Sequence, residues 1–340
     1  MPSFSIGVDL GGTNLRVAAV TQEGERLDHI SLPTRLAAGP QAVLDDMASA
    51  IRQLIEKQSG ELLGIGVGSP GPIELPLGVL HHPPNLTGFD GLNLRTELEH
   101  RLGRPVHIGH DAALAAYGEC LLGAGRAHAV GSLLMYTLGT GVGCGIVLAG
   151  RIWNGMQGSA GESGHGPIIL DGPHCPCGAR GCLEMYASAT SIVRRAHELG
   201  LGLGVAPESN ASAASTTPGN GSAPLTASAI AHLAIAGDER ALRIFDEAGL
   251  ALGLSLAHLV NALDLPLYVI GGGAAAAWPL FAPRMFSTLR EGSYVYRMSM
   301  PRDPGVFEPG KTHIAPAQLG NDAGILGAAL LPIAALSSSR

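Results

Sequence analysis

Charged side chains are scarce in this chain: Asp, Glu, Lys and Arg supply 14% of its 340 residues, and acids outnumber bases to leave a net charge of -7. That balance gives no general electrostatic grip on nucleic acid or on an anionic membrane, so neither partner is expected. A basic leader followed by an apolar run is missing too. Residues 1–20 pass straight into a polar, glycine-rich motif, and no secretion signal is expected. Nor is there an uninterrupted apolar stretch of bilayer length. The two most apolar segments, 249–263 and 325–336, are broken by His258 and Asn261 or by Pro332, and both fall short of the roughly 20 residues of a spanning helix. The reading is a soluble, cytoplasmic protein. A disulfide framework is also absent, because the five cysteines are an odd set in which Cys175, Cys177 and Cys182 crowd together while Cys120 and Cys144 stand alone. Such crowding points to metal.

What the chain does have is 46% hydrophobic residues and 49 glycines, the composition of a compact α/β enzyme. Its length suits two domains or one large divided unit. Residues 4–9 alternate like a strand, run into Gly11-Gly12-Thr13 and resume a β-rich pattern at 15–20. Helical spacing over 42–57, strands at 63–67 and 106–109, and a helix from Asp111 continue an α/β alternation. Then the opening device recurs: a strand at 133–138, the turn Gly139-Thr140-Gly141-Val142-Gly143, and a strand at 145–148. Two such turns can face one cleft, which suits a ligand with several phosphates. A Ser, Ala, Gly, Asn and Pro tract over 203–224 is read as a flexible surface loop. Residues 226–263 read as helix, 267–270 as a short strand, and the chain from 320 as a final helix.

Asp9-Leu10-Gly11-Gly12-Thr13-Asn14 puts a carboxylate at a strand end, followed by backbone N–H groups that phosphate can reach without Cβ obstruction. An ordinary hairpin turn would look the same, and the second turn is what favours phosphate. Neither turn is a dinucleotide fingerprint, since the third glycine and the following helix are missing. Gly305 to Thr312 spells a Walker A pattern but is set aside. Pro309 removes an amide, Glu308 would repel phosphate, and His313-Ile314-Ala315-Pro316 reads as extended where a helix is required. Asp111 follows a strand and opens a helix, the place where α/β enzymes hold ligands, although a helix N-cap is the commoner role for such an Asp. Cys175-x-Cys177-Gly178-x-x-Gly181-Cys182 supplies three thiolates in one loop, and an imidazole would complete a closed, structural zinc site. His165 is the candidate fourth ligand, with His174 next to Cys175 as the alternative.

In order and spacing these elements resemble the ROK (repressor/ORF/kinase) family over residues 5–332. The resemblance is carried by 9–14, Gly66-Val67-Gly68-Ser69-Pro70-Gly71-Pro72, Pro84-Asn85-Leu86, His110-Asp111-Ala112, 138–143, Gly161-Glu162-Ser163-Gly164-His165, the cysteine loop ending in Glu184, and Gly271-Gly272-Gly273. It implies a two-lobed actin/hexokinase/Hsp70-type α/β ATPase fold with the active site between the lobes. Residues 1–113, completed by a C-terminal helix at 318–335, would form one lobe. Residues 114–317, with the zinc loop at 165–184 and the insert at 203–224, would form the other. The implied activity is ATP-dependent phosphorylation of a hexose at its 6-hydroxyl, glucose first, with N-acetylmannosamine, N-acetylglucosamine and fructose as alternatives. Asp111 resembles the catalytic base, and Glu162, His165 and Glu184 would hold sugar hydroxyls with Gly68, Asn85 and His110 opposite. Asp9, Gly11, Gly12, Thr13, Asn14, Gly139, Thr140, Gly141 and Gly271 to Gly273 would bind the nucleotide. Magnesium would come with the ATP near Asp9, through water, and zinc would be held by His165, Cys175, Cys177 and Cys182. A homodimer is the family expectation.

Two positions depart from the family pattern: His110 and Ala113 stand where Asn is usual, which alters sugar contacts on that side. Sugar-sensing repressors of the family add a helix-turn-helix ahead of the first turn. With that turn beginning at Asp9, a repressor is not expected, and the retained Asp9, Asp111 and both turns argue against a non-catalytic sugar binder.

Overall fold

The computed structural model describes residues 3–201 and 225–338, so the tract at 203–224 lies outside the described residues. The first half builds a five-stranded sheet. Hairpin strands β1 (Phe4–Leu10) and β2 (Asn14–Thr21) are extended by β3 (Arg26–Pro33); helix α1 (Pro40–Lys57) then leads to β4 (Leu62–Ser69). A small hairpin, β5 (Ile73–Glu74) with β6 (Val79–Leu80), and helix α2 (Leu94–Leu102) precede β7 (Val106–His110). The sheet order is β3-β2-β1-β4-β7, antiparallel in the first two pairs and parallel in the last two. Pro40 opens α1 where its missing N–H costs nothing, and Asn93 caps α2 by accepting from Thr96 N.

Helix α3 (Asp111–Leu121) and the single turn α4 (Ala124–Ala127) carry the chain into a second sheet. Its strands β8 (Leu133–Leu138), β9 (Val142–Leu148) and β10 (Arg151–Ile152) form an antiparallel run, after which come helices α5 (Glu184–Ala187), α6 (Ala189–Glu198), α7 (Ala227–Ile235) and α8 (Glu239–Leu263). Strand β11 (Leu267–Gly271), helices α9 (Trp278–Gly292) and α10 (Tyr294–Ser299), strand β12 (His313–Pro316) and helix α11 (Ala323–Ser338) complete it, in sheet order β10-β9-β8-β11-β12. The Walker-like segment therefore runs into a strand, as its sequence requires. Residues 226–263 are two helices rather than the one expected: Gly237 takes φ 92°, and Asp238 caps a new start by accepting from Arg240 N and Ala241 N.

Alternation divides the buried side chains of the second sheet. Leu134, Tyr136, Tyr268 and Ile270 join a core with α6, α8 and α9, whereas Leu133, Met135, Leu267 and Val269 pack toward α3 and α11. Helix α11 in turn covers the inner face of the first sheet, where Ala18 and Val20 meet Ile325, Leu326 and Ala329. Bare backbone makes its seat: a Cβ on Gly66 would overlap the Ala328 carbonyl, and one on Gly64 would meet Pro332. The α3–α11 crossing is as close. A Cβ on Gly327 would overlap the Leu114 carbonyl oxygen, and one on Gly118 the Ala323 carbonyl. Gly327→Ala is accordingly expected to destabilise by about 3 kcal/mol in urea unfolding, while Gly131→Ala, with nothing nearer than 3.6 Å, stays within about 0.5 kcal/mol. Equal midpoints for the two variants would refute this account of the crossing. Beside it, the fully buried Glu119 accepts from Ala124 N (2.9 Å), Gln318 N (2.9 Å) and Leu319 N (2.6 Å), which ties the outward and returning segments together. Among the described residues no helix is long and apolar enough to cross a membrane.

Candidate active site

Both glycine turns sit at strand ends, and each has its carbonyls held from outside. In the first, Thr34 donates its hydroxyl to Gly11 O (2.7 Å) and its N–H to Thr13 O (2.8 Å). In the second, Ala189 N donates to Gly139 O and the Thr190 hydroxyl to Thr140 O, each at 2.8 Å. Among the described residues the amides of Gly12, Thr13, Thr140 and Gly141 donate to no protein acceptor, leaving two nests that can receive phosphate oxygens. Glycine is required for the close approaches here. A Cβ on Gly12 would lie 2.6 Å from Asn85 O, and one on Gly272, at φ 85°, would strike Leu138 beside the second turn. Gly271, Gly272 and Gly273 thus adjoin that turn at the end of β11, with open space beside Gly273.

Asp9, at the end of β1, is the register partner of Arg16 across the hairpin, and the two form an ion pair. Burial pushes the Asp9 carboxyl above its ordinary value, the Arg16 charge and hydrogen bond oppose that, and the Asp111 charge adds to it. Arg16 also donates to Asn321 O at 2.8 Å, which fixes the start of α11 to the first turn. Gly68 pairs with both Asp9 and Gly109, so it contributes backbone to the same sheet edge. The side chains of Thr13, Asn14 and Asn85 are exposed there.

Asp111 is the first residue of α3, and the N-cap is His110. Among the described residues its carboxylate accepts a hydrogen bond only from the neighbouring Ala112 N (2.6 Å), and it is 41% exposed, which removes the capping alternative and leaves it open to a ligand. His110 lies between two carboxylates: Nδ1 is 3.4 Å from Asp111 Oδ1, and Nε2 is 3.9 Å from Glu162 Oε1. Glu162 begins a 3₁₀ turn, Glu162–His165, and its Oε2 is 4.0 Å from His165 Nε2. Asp111, His110, Glu162 and His165 therefore form a chain of neighbours that links the end of β7 in the first sheet to the 3₁₀ turn after β10 of the second. Glu184, at the start of α5, accepts from Val142 N at 3.0 Å, so it touches the second turn.

The other His165 nitrogen, Nδ1, is 3.5 Å from Cys175 Sγ, and Cys177 Sγ is 3.7 Å from Cys182 Sγ. Donors around a tetrahedral zinc ion are spaced at about 3.55 Å (N to S) and about 3.75 Å (S to S) for ordinary bond lengths, so these two pairs have spacings that fit such an ion. The donor atoms of His165, Cys175 and Cys177 lie within 4.8 Å of one another, while Cys182 joins through Cys177 with its Sγ turned onto His165 O at 3.1 Å. His174 is engaged by Arg180 at 3.0 Å, which favours His165 as the imidazole ligand. Burial, followed by the neighbouring thiols, pushes the Cys182 thiol up to about 12; a coordinated cation reverses that by displacing the proton.

Sequence reasoning missed Arg16, Thr34 and Thr190. The Asp9–Arg16 pair was countable across the hairpin, but the two threonines act from 20 to 50 residues away and carry no local signal.

A family model, that of the ROK family, matches residues 5–335. A curated sequence from Halalkalibacterium halodurans, named glucokinase, is 36% identical over 326 residues, 95% of this chain and 92% of its own length. The ROK hexokinase structure from Thermus thermophilus matches with a TM-score of 0.79 at 29% identity, covering 98% of this chain and 99% of its own. A ROK family glucokinase from Streptomyces griseus, solved in complex with glucose and AMPPNP, matches with a TM-score of 0.72 at 29% identity, covering 96% and 98%.

Proposed function

The chain belongs to the ROK family, and from that premise we propose that it is a glucokinase, transferring the γ-phosphoryl group of ATP to the 6-hydroxyl of glucose. The observation that carries the reading is the chain of neighbours from Asp111 through His110 and Glu162 to His165, set between two turns with unpaired amides. Phosphoryl transfer needs a group to take the hydroxyl proton, fixed donors around the phosphates and an in-line alignment. Asp111 takes the proton as the sugar oxygen attacks. The amides of Gly12, Thr13, Thr140 and Gly141 receive phosphate oxygens, with Gly271 to Gly273 beside them for the nucleoside. Glu162, His165 and Glu184 hold ring hydroxyls, with Asn85 and the Gly68 backbone opposite.

Magnesium bound with ATP neutralises phosphate charge, and Asp9, already paired with Arg16, would hold it through water. His165, Cys175, Cys177 and Cys182 would hold a structural zinc, which fixes the His165 ring with Nε2 toward Glu162. The lobes are taken as 1–113 with 318–335 and as 114–317, a division supported by the packing of α11 on the first sheet. A cytoplasmic homodimer completes the reading, as the resemblance implies. ATP turnover with glucose, N-acetylmannosamine, N-acetylglucosamine and fructose is the test. Glucose should show the highest kcat/KM; a different preferred sugar would replace the substrate, and no turnover with any of them would sink the kinase.

A further inference from the structure

The corner between α5 and α6 grips the second phosphate turn at three points. Val142 N donates to Glu184 Oε2 (3.0 Å), Ala189 N to Gly139 O (2.8 Å) and Thr190 Oγ1 to Thr140 O (2.8 Å). The corner is itself braced, since Ser188 Oγ accepts from Ser191 N and Ser191 Oγ donates to Glu184 O at 2.7 Å. These bonds occupy the two turn carbonyls and one amide while leaving Thr140 N and Gly141 N without protein acceptors. Glu184 Oε1, by contrast, makes no hydrogen bond among the described residues. One carboxylate thus has an oxygen on the nucleotide turn and the other at the place where the proposed function puts a sugar hydroxyl.

We propose that Glu184 and Thr190 couple the two substrates, so that sugar binding makes the second phosphate turn a better receptor for nucleotide, with Thr190 as a positioning residue. The inference rests on the sugar-binding reading of Glu184. The physical step is a loss of freedom. A half-buried glutamate in the empty site exchanges rotamers, and each departure releases Val142 N. A sugar hydroxyl on Oε1 holds the side chain in the one rotamer that also holds the turn, so its ordering entropy is already spent when nucleotide arrives. Thr190 transmits the same order to the middle of the turn, because the peptide plane cannot swing Thr140 O inward and Gly141 N outward while the hydroxyl holds that oxygen. Coupling between binding sites is reciprocal, so nucleotide must tighten sugar by the same factor.

The experiment measures the affinity of a non-hydrolysable ATP analogue by calorimetry, with and without saturating glucose, in the wild type, Thr190→Val and Thr190→Ser. In the wild type glucose should tighten the analogue about fivefold, at the low end of measured couplings because Thr190 is exposed. Thr190→Val should bind glucose alone with unchanged affinity, lower the coupling to about twofold, since the Glu184–Val142 bond remains, and show a raised KM for ATP; Thr190→Ser should restore both. Wild-type coupling in Thr190→Val, or loss of analogue affinity that is equal with and without glucose, overturns the inference while the kinase reading stands. Failure of the wild type to bind any sugar removes the functional reading, and this inference with it.

Discussion

Asp111→Asn is expected to lower kcat by about 10²- to 10⁴-fold while glucose affinity stays within about threefold. The substitution keeps shape and one acceptor oxygen, so the 2.6 Å bond from Ala112 N survives and α3 still starts at the same residue. What it removes is the proton acceptor. No second carboxylate is expected to substitute, because Asp9 is committed to Arg16 and the proposed function assigns Glu162 and Glu184 to other sugar hydroxyls. Turnover and sugar binding have to be measured separately, turnover by a coupled assay and binding by calorimetry. Near-wild-type turnover would remove Asp111 from the chemistry, and parallel losses of both quantities would assign it to binding alone.

The second large effect concerns the cysteine loop. Purified protein is expected to carry about one zinc per chain, and replacing both Cys175 and Cys182 by Ser should abolish it, lower Tm by more than about 5 °C and raise the glucose KM at least about tenfold. Two consequences follow from one ion because the loop has two neighbours. His165 presents Nδ1 to the thiols and Nε2 toward Glu162, so a lost ion frees the ring on the sugar side. Only Leu183 separates Cys182 from Glu184, which holds the second turn. Elemental analysis and thermal unfolding give the result directly. Metal-free protein with wild-type stability, or a double variant with unchanged Tm and KM, would overturn the zinc assignment.

How much of this was legible beforehand depended on the range of the signal. Strand-turn-strand units at Gly11 and Gly139 are local events, set by alternation and glycine, and the structure has both. The cysteine spacing is equally local, and the donors of His165, Cys175 and Cys177 lie together. The break at Gly237 was overlooked because apolar spacing continues from Ile235 into Ala241 and hid a glycine followed directly by a capping Asp, although both signals were present. The capping reading of Asp111 failed for a one-residue reason: His110 ends its strand with extended backbone and so takes the N-cap place. Contacts that cross the fold were not legible at all. Nothing near Thr34 or Thr190 announces a partner in a turn 20 or 50 residues earlier, and Glu119 looks like any helical glutamate until its three backbone donors are assembled.

The seat of α11 gives the molecule a history as well as a shape. The strands it covers end with β7 at His110, yet the helix that covers them, Ala323–Ser338, is made more than two hundred residues later. At ribosomal rates of about 5–20 residues per second, the interval between β7 and α11 is roughly 10–45 s. Through that time the groove over Gly64 and Gly66 is open, shaped for a helix backbone and lined by apolar side chains. The second sheet can close its outer core against α8 and α9 meanwhile, since those helices precede α11 in the chain. The first sheet is therefore covered only after the outer core of the second has been made, and until then its groove stays unfilled.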